Sequence, residues 1–194
     1  MSKLQKMLGT LLVIGLTGSL AGFGVFAAFS SETSNTGNTF AAGTVSIGDN
    51  DGGSSSLYNL SNQKPGTTTS NCIKVTYGGS LDSEVRLFTP TAASAMNANV
   101  NLVITAGTQA TSTFPSCAGF TATVGVPAYS GTLAGFQASH NAYSNGFEAN
   151  PANAVDWSSG ESLVYKFDVS VQDANAAQGA TATAHTFSWR AENS

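Results

Sequence analysis

The sequence predicts an all-β protein: an antiparallel β-sandwich, jelly-roll-like, with one short helix. Three observations carry this. Apolar residues alternate with polar ones at period two in run after run, which puts one face of each strand in a core and the other in water. Gly, Pro, Asn, Asp and Ser punctuate these runs at intervals of roughly 8 to 12 residues, the spacing of a sandwich rather than of βαβ units. Charged residues are only 9% of the 194 residues, so long salt-bridged helices have little to draw on. Roughly seven to nine strands are expected on this pattern.

The chain opens with a leader. Lys3 and Lys6 form a short basic stretch, and "MLGTLLVIGLTGSLAGFGVFAAF" is an almost uninterrupted apolar run. Small residues at −3 and −1 place a cut after Ala27, with Val25 and Ala27 in those positions, or alternatively after Ala28. The other reading is an uncleaved anchor, because about 20 apolar residues can span a bilayer. Glycines 9, 15, 18, 22 and 24 and the Ala-Ala junction favour cleavage. The expected organisation is residues 1–27 as signal peptide, 28–40 as an N-terminal segment and 41–194 as the sandwich. Residues 28–40 are small and polar apart from Ala28, Phe29 and Phe40, with nothing to build a core of their own.

The elements then follow in order. "TFAAGTVSIG" alternates Val45 and Ile47 against Thr44 and Ser46 and predicts a strand, and "DNDGGSSS" a turn. Asp49-Asn50-Asp51-Gly52 invites a calcium loop, but Leu60 stands at the twelfth position, where a bidentate Glu would be required. "CIKVTYGGSLDSEVRLF" gives two strands about a Gly79-Ser80 turn: Ile73, Val75 and Tyr77 share one face, Val85 and Leu87 another. "NVNLVIT" and "GFTATVGV" are strands on either side of Cys117. "GTLAGFQASH" sets Leu133 and Phe136 three apart, as a short helix does. "NAYSNGFEANPANAVDW" is expected to be loop. "ESLVYKFDVSVQD" is the clearest strand, with Leu163, Tyr165, Phe167, Val169 and Val171 on one face. "ATATAHTFSWRAENS" closes the chain with Phe187 and Trp189 on one parity.

Composition and side-chain chemistry exclude several functions. The net charge of −4 becomes about −6 without Lys3 and Lys6, and the remaining cations are scattered, so nucleic acid is not an expected partner. The cysteines are Cys72 and Cys117, and in an exported chain an even count favours a disulfide over free thiols. It would close a loop of about 44 residues and contribute roughly 3 to 4 kcal/mol. His140 and His185 are the two histidines, and neither sits in a metal-ligand spacing; His140 reads as a helix C-terminal cap, His185 as an edge or surface residue of the last strand. Glu148, Asp156 and Glu161 read as solvated loop carboxylates. The residues argue against an enzyme, with no catalytic group, cofactor or metal expected.

The run "AAFSSETSNTGNTFAAGTVSIGDN", then "LYNLSNQKPG", "VTYGGSLDSEVRLF" and a closing "FSWRA", resembles in order and spacing the TasA/camelysin family of exported matrix proteins. The resemblance implies a jelly roll secreted with a dedicated signal peptidase. It also implies a structural subunit of matrix or cell-surface fibres whose partners are copies of itself. Assembly would be by donor-strand complementation, residues 28–40 of one copy adding a strand to the next with Phe29 as anchor; the other reading of this segment is a free tail. Membrane contact would come through an uncleaved leader alone. The camelysin side of the family implies a metalloprotease, for which this sequence lacks the zinc motifs. A monomeric secreted adhesin or binding module is the remaining alternative.

Overall fold

A computed structural model of the chain describes residues 42–52, 56–59, 62–90, 94–123, 128–150, 156–180 and 185–193, all in the compact unit Ala42–Ser194. Among these residues nine strands are shared between two antiparallel sheets: β1 (Ile47–Asp49), β2 (Thr68–Tyr77), β3 (Ser83–Phe88), β4 (Val100–Gln109), β5 (Phe120–Ala122), β6 (Ala128–Thr132), β7 (Phe147–Glu148), β8 (Ser162–Val171) and β9 (Ser188–Asn193). One α-helix, α1 (Leu133–Ser139), follows β6 directly.

The larger sheet has the order β1-β2-β8-β4, with β5 and β6 sharing the far edge of β4; the smaller is β7-β3-β9. The chain passes from large to small sheet at β3, β7 and β9 and returns at β4 and β8, so successive strands cover each other's apolar faces. This is the sandwich that the alternation predicts.

Register follows the pattern of apolar residues. Ile73, Val75 and Tyr77 lie beside Tyr165, Leu163 and Glu161's end of β8, and Ile104 lies beside Phe167, so one face of the large sheet is continuous apolar surface. A one-residue slip would turn all of it to water. Val85 and Leu87 of β3 face it, with Ala191 and Trp189 as their lateral neighbours on β9. Tyr165 and Phe167 are wholly buried, and their rings meet Trp189 at 5.4 Å and Phe187 at 4.8 Å between centroids. Each such side chain contributes about 1.5–3 kcal/mol by leaving water.

α1 closes one end. The Thr132 hydroxyl accepts from the Gly135 N–H at 3.0 Å, capping the first turn, and Phe136 is buried against Phe147 and Phe187. The helix expected from Leu133 and Phe136 is therefore present and faces inward at those positions.

Several expectations are corrected. The first strand begins at Ile47 rather than Thr44, because Thr44 spends its carbonyl on Ser80 and Leu81 instead of a ladder. β6 and β7 lie where no strand was expected, and the stretch expected to be loop also contributes the fully buried Trp157, whose indole N–H donates to Ala149 O at 3.0 Å. Trp157 exchanges backbone hydrogen bonds with Ser83 at 3.1 and 2.7 Å, an isolated bridge that fixes the start of β3.

Candidate functional site: the N-terminal root and the open edge of the small sheet

The described chain enters the sandwich at the turn between β2 and β3. The Thr44 N–H donates to Ser80 Oγ at 2.9 Å, and the Ser80 and Leu81 N–H groups both donate to Thr44 O, at 2.9 and 3.2 Å. This turn needs glycine: a Cβ at Gly79 would stand 2.1 Å from Tyr77 Oη and 2.6 Å from Thr44 O. The Tyr77 hydroxyl is occupied there, donating to Leu81 O and meeting Ser83 Oγ at 2.7 Å. The root of the N-terminal segment is thus fixed to a turn that is itself fixed to the core.

Beside this root the surface is apolar. Val45 and Leu81, 41% and 39% exposed, are the large hydrophobic side chains left in water among the described residues, and they flank Thr44 in sequence and by hydrogen bond respectively. β1, which follows Val45, approaches β9 to within 8 Å between Cα atoms.

β9 pairs with β3 on one side, and among the described residues no strand hydrogen-bonds to its other edge, although β1 comes near it. Its inner face carries the half-buried Trp189 and Ala191, preceded by Phe187. The Trp189 indole nitrogen lies next to the Tyr165 hydroxyl inside the core, and neither group has a well-aligned hydrogen bond. Burial pushes the Tyr165 hydroxyl well above the usual tyrosine range, and the indole offsets part of this.

The outer face of the small sheet is charged. Arg86 and Arg190 are cross-strand neighbours, a repulsive pairing that carboxylates relieve: Glu84 and Glu148 reach Arg86 at 2.6 and 2.7 Å, and Glu192 reaches Arg190 at 2.5 Å. Both guanidinium groups stand over the Tyr143 ring, at 5.4 and 5.3 Å from its centroid. The hydrogen bond to Glu84 raises Arg86 further, and burial followed by Glu84 and Glu192 raises Tyr143.

The residues singled out in the sequence are placed as follows. Cys72 and Cys117 form the disulfide. Ala27, Ala28, Phe29 and Phe40, with the cleavage site and the whole 28–40 segment, lie outside the described residues. The Asp49-Asn50-Asp51-Gly52 tetrad is a turn: Asp49 Oδ1 accepts from the Asp51 N–H at 3.1 Å, and Gly52 takes φ +69°. Desolvation and the neighbouring Asp51 carboxyl raise the Asp49 pKa.

His140 is the C-cap of α1, but its Nδ1 serves Asn145 O at 2.7 Å rather than the last helix carbonyls. His185 is a correction: it precedes β9 and is half-buried, at the end of a polar chain in which Asn97 Nδ2 donates to Gln137 Oε1 at 2.6 Å and Gln137 Nε2 meets His185 Nδ1 at 3.3 Å. Burial lowers its pKa. Glu148 is solvated as expected but lies in β7 rather than in a loop and pairs with Arg86, and Glu161 Oε2 accepts from the Ser158 N–H at 2.7 Å.

Fold and site together define a β-sandwich in which the described chain enters at the turn between β2 and β3 and the small sheet keeps an unpaired edge at β9. The chain belongs to the TasA/camelysin family: the family model described as camelysin metallo-endopeptidase matches residues 3–104. No curated protein matches the chain. The metal that the family's description implies finds no donor set among the described residues, where no three His, Cys, Asp or Glu side chains come together. The matched region contains no histidine, both cysteines are in the disulfide, and of the two half-buried imidazoles His140 bonds a carbonyl and His185 meets Gln137. The residues do not fit a zinc site.

Proposed function

We propose that the protein is an exported structural subunit of matrix or cell-surface fibres, assembling when residues 28–40 of one copy add as a strand to the sandwich of another. The observation that carries this reading is the root: Thr44 is clamped to Ser80 beside the exposed Val45 and Leu81, and β9 has an edge that no strand pairs with among the described residues. An added strand would take its backbone hydrogen bonds from that edge, and Phe29 and Phe40 are the apolar side chains it would bring to the surface of the acceptor. An edge otherwise open to uncontrolled pairing then has a designated partner. The leader, cut after Ala27 or Ala28 during export, frees the segment once the chain is outside.

The test is a comparison of secreted full-length protein with a variant lacking residues 28–40, by negative-stain microscopy and circular dichroism. Filaments from the first and a folded, non-filamentous second support the reading. Filaments from both would assign assembly to another surface.

A further inference from the structure

A second edge of the sandwich is closed by a strap, and the disulfide holds the strap shut. Residues 110–119 leave β4 after Gln109 and return to pair with β4 at Phe120, yet the loop reaches the far side of β8. Pro115 O accepts from the Cys72 N–H at 2.9 Å on the edge of β2, beyond the end of β1, and Ser112 Oγ accepts from Asn50 Nδ2 at 3.0 Å. To get from β4 to β2 the loop crosses the outward face of the large sheet. Val164, on that outward face between Lys74 and Gly107, is only 2% exposed.

The strap contributes little burial of its own. Most of its side chains are exposed, and Phe114 is the one that packs against the core. Gln109 Nε2 holds its return limb through Ser116 O and Ala118 O, at 3.0 and 2.7 Å. Ordering a residue costs about 1–2 kcal/mol and each hydrogen bond returns about 1 kcal/mol net, so the eight hydrogen bonds that residues 110–119 make and one ring fall short of ordering ten residues, which leaves a share for the covalent bond.

We infer that the Cys72–Cys117 disulfide is a latch on this strap: its reduction opens the outward face and the β2 edge while the sandwich stays folded. The core side of the large sheet, where Ile73, Val75, Leu102, Ile104, Tyr165 and Phe167 face away from the strap, meets it through Phe114. The reductant is a dithiol. Its thiolate attacks the sulfur of Cys117, the more exposed of the pair, and Cys72 leaves as thiolate; the second thiol then resolves the mixed disulfide. The S–S bond breaks, two protein thiols form, and two electrons and two protons come from the dithiol, which becomes a disulfide. Opening frees the Cys72 N–H and uncovers Val164, a strand edge beside an apolar spot.

The test is hydrogen exchange by mass spectrometry on the full-length mature protein, oxidised and after treatment with a small dithiol, with Cys72→Ser/Cys117→Ser measured alongside without reductant. Peptides spanning residues 110–119 and the Cys72 amide should exchange roughly tenfold faster or more in both reduced and double-serine protein, with β4 and β8 unchanged. Acceleration spread evenly over β4, β8 and β9 would overturn the latch in favour of a staple for the whole fold, as would a double-serine variant that does not fold. Unchanged exchange in the strap would overturn it too, by showing that the hydrogen bonds suffice.

Discussion

Thr44 and Ser80 hold each other reciprocally, the Thr44 N–H on Ser80 Oγ and the Ser80 N–H on Thr44 O, each at 2.9 Å across 36 residues of chain. The pair ties the point where the N-terminal segment begins to a turn between the two sheets. Ser80→Ala removes the side-chain half of this clamp. At an exposed site the loss should be small, about 0.5–1 kcal/mol by thermal or denaturant melting, but filament yield should fall by more than that figure implies, because the root loses its direction. Equal, small effects on both would reduce the clamp to an ordinary turn bond.

Gly79→Ala should be far more damaging than its exposed neighbourhood implies. The new methyl would meet Tyr77 Oη at 2.1 Å and Thr44 O at 2.6 Å, and Tyr77 is a fully buried core residue that cannot step aside. A loss of about 2–4 kcal/mol is expected in urea melts. Gly78→Ala is the control: nothing lies within 4 Å of its added Cβ, and its effect should be well under 1 kcal/mol.

His185 makes stability depend on pH. Burial lowers its folded pKa below the ordinary 6.5, and no charge contributes to the shift. Because Gln137 Oε1 is taken by Asn97, Gln137 presents its NH2 to His185 Nδ1, which fits the neutral ring with its proton on Nε2. Below about pH 6.5 the unfolded chain takes up a proton that the folded one resists, so stability falls as pH drops from there through the folded value. His185→Gln should flatten that part of the stability–pH curve. A slope unchanged by the substitution would place the titrating group elsewhere.

What the sequence made legible was the part governed by period. The faces Ile73-Val75-Tyr77 and Leu163-Tyr165-Phe167 and the parity of Phe187 and Trp189 all read directly, because one buried face forces alternation. The helix read from two residues, and the disulfide from an even count. β6 did not, since "AYSGT" has Tyr129 as its single large apolar residue and pairs through backbone on an edge. β7 is two residues long, too short for any period. Trp157 was hidden among Asn, Pro and Ala, its burial decided by a bridge to the distant Ser83. The open edge of β9 is a property of sheet order, which long-range pairing sets and local pattern does not carry.

Trp189 offers a direct reading of assembly. It is half-buried on β9, whose outer edge is unpaired among the described residues, whereas Trp157 is fully buried and tied to Ala149 O. Trp157→Phe leaves Trp189 as the single tryptophan, at a cost of about 2–4 kcal/mol from the cavity beside the smaller ring and the unpaired Ala149 carbonyl. If residues 28–40 of a second copy lie along β9, they displace water from the indole, and Trp189 emission should shift to the blue as filaments form. Phe29→Ser in the same background should weaken assembly roughly 30-fold, corresponding to about 2 kcal/mol for a pocketed aromatic anchor, and should move the blue shift to correspondingly higher protein concentration. Filaments that form with no change in Trp189 emission would take the acceptor away from β9 and leave the other terminal strands among the described residues, β1, β7 and the β5 and β6 margin of β4, to receive the strand.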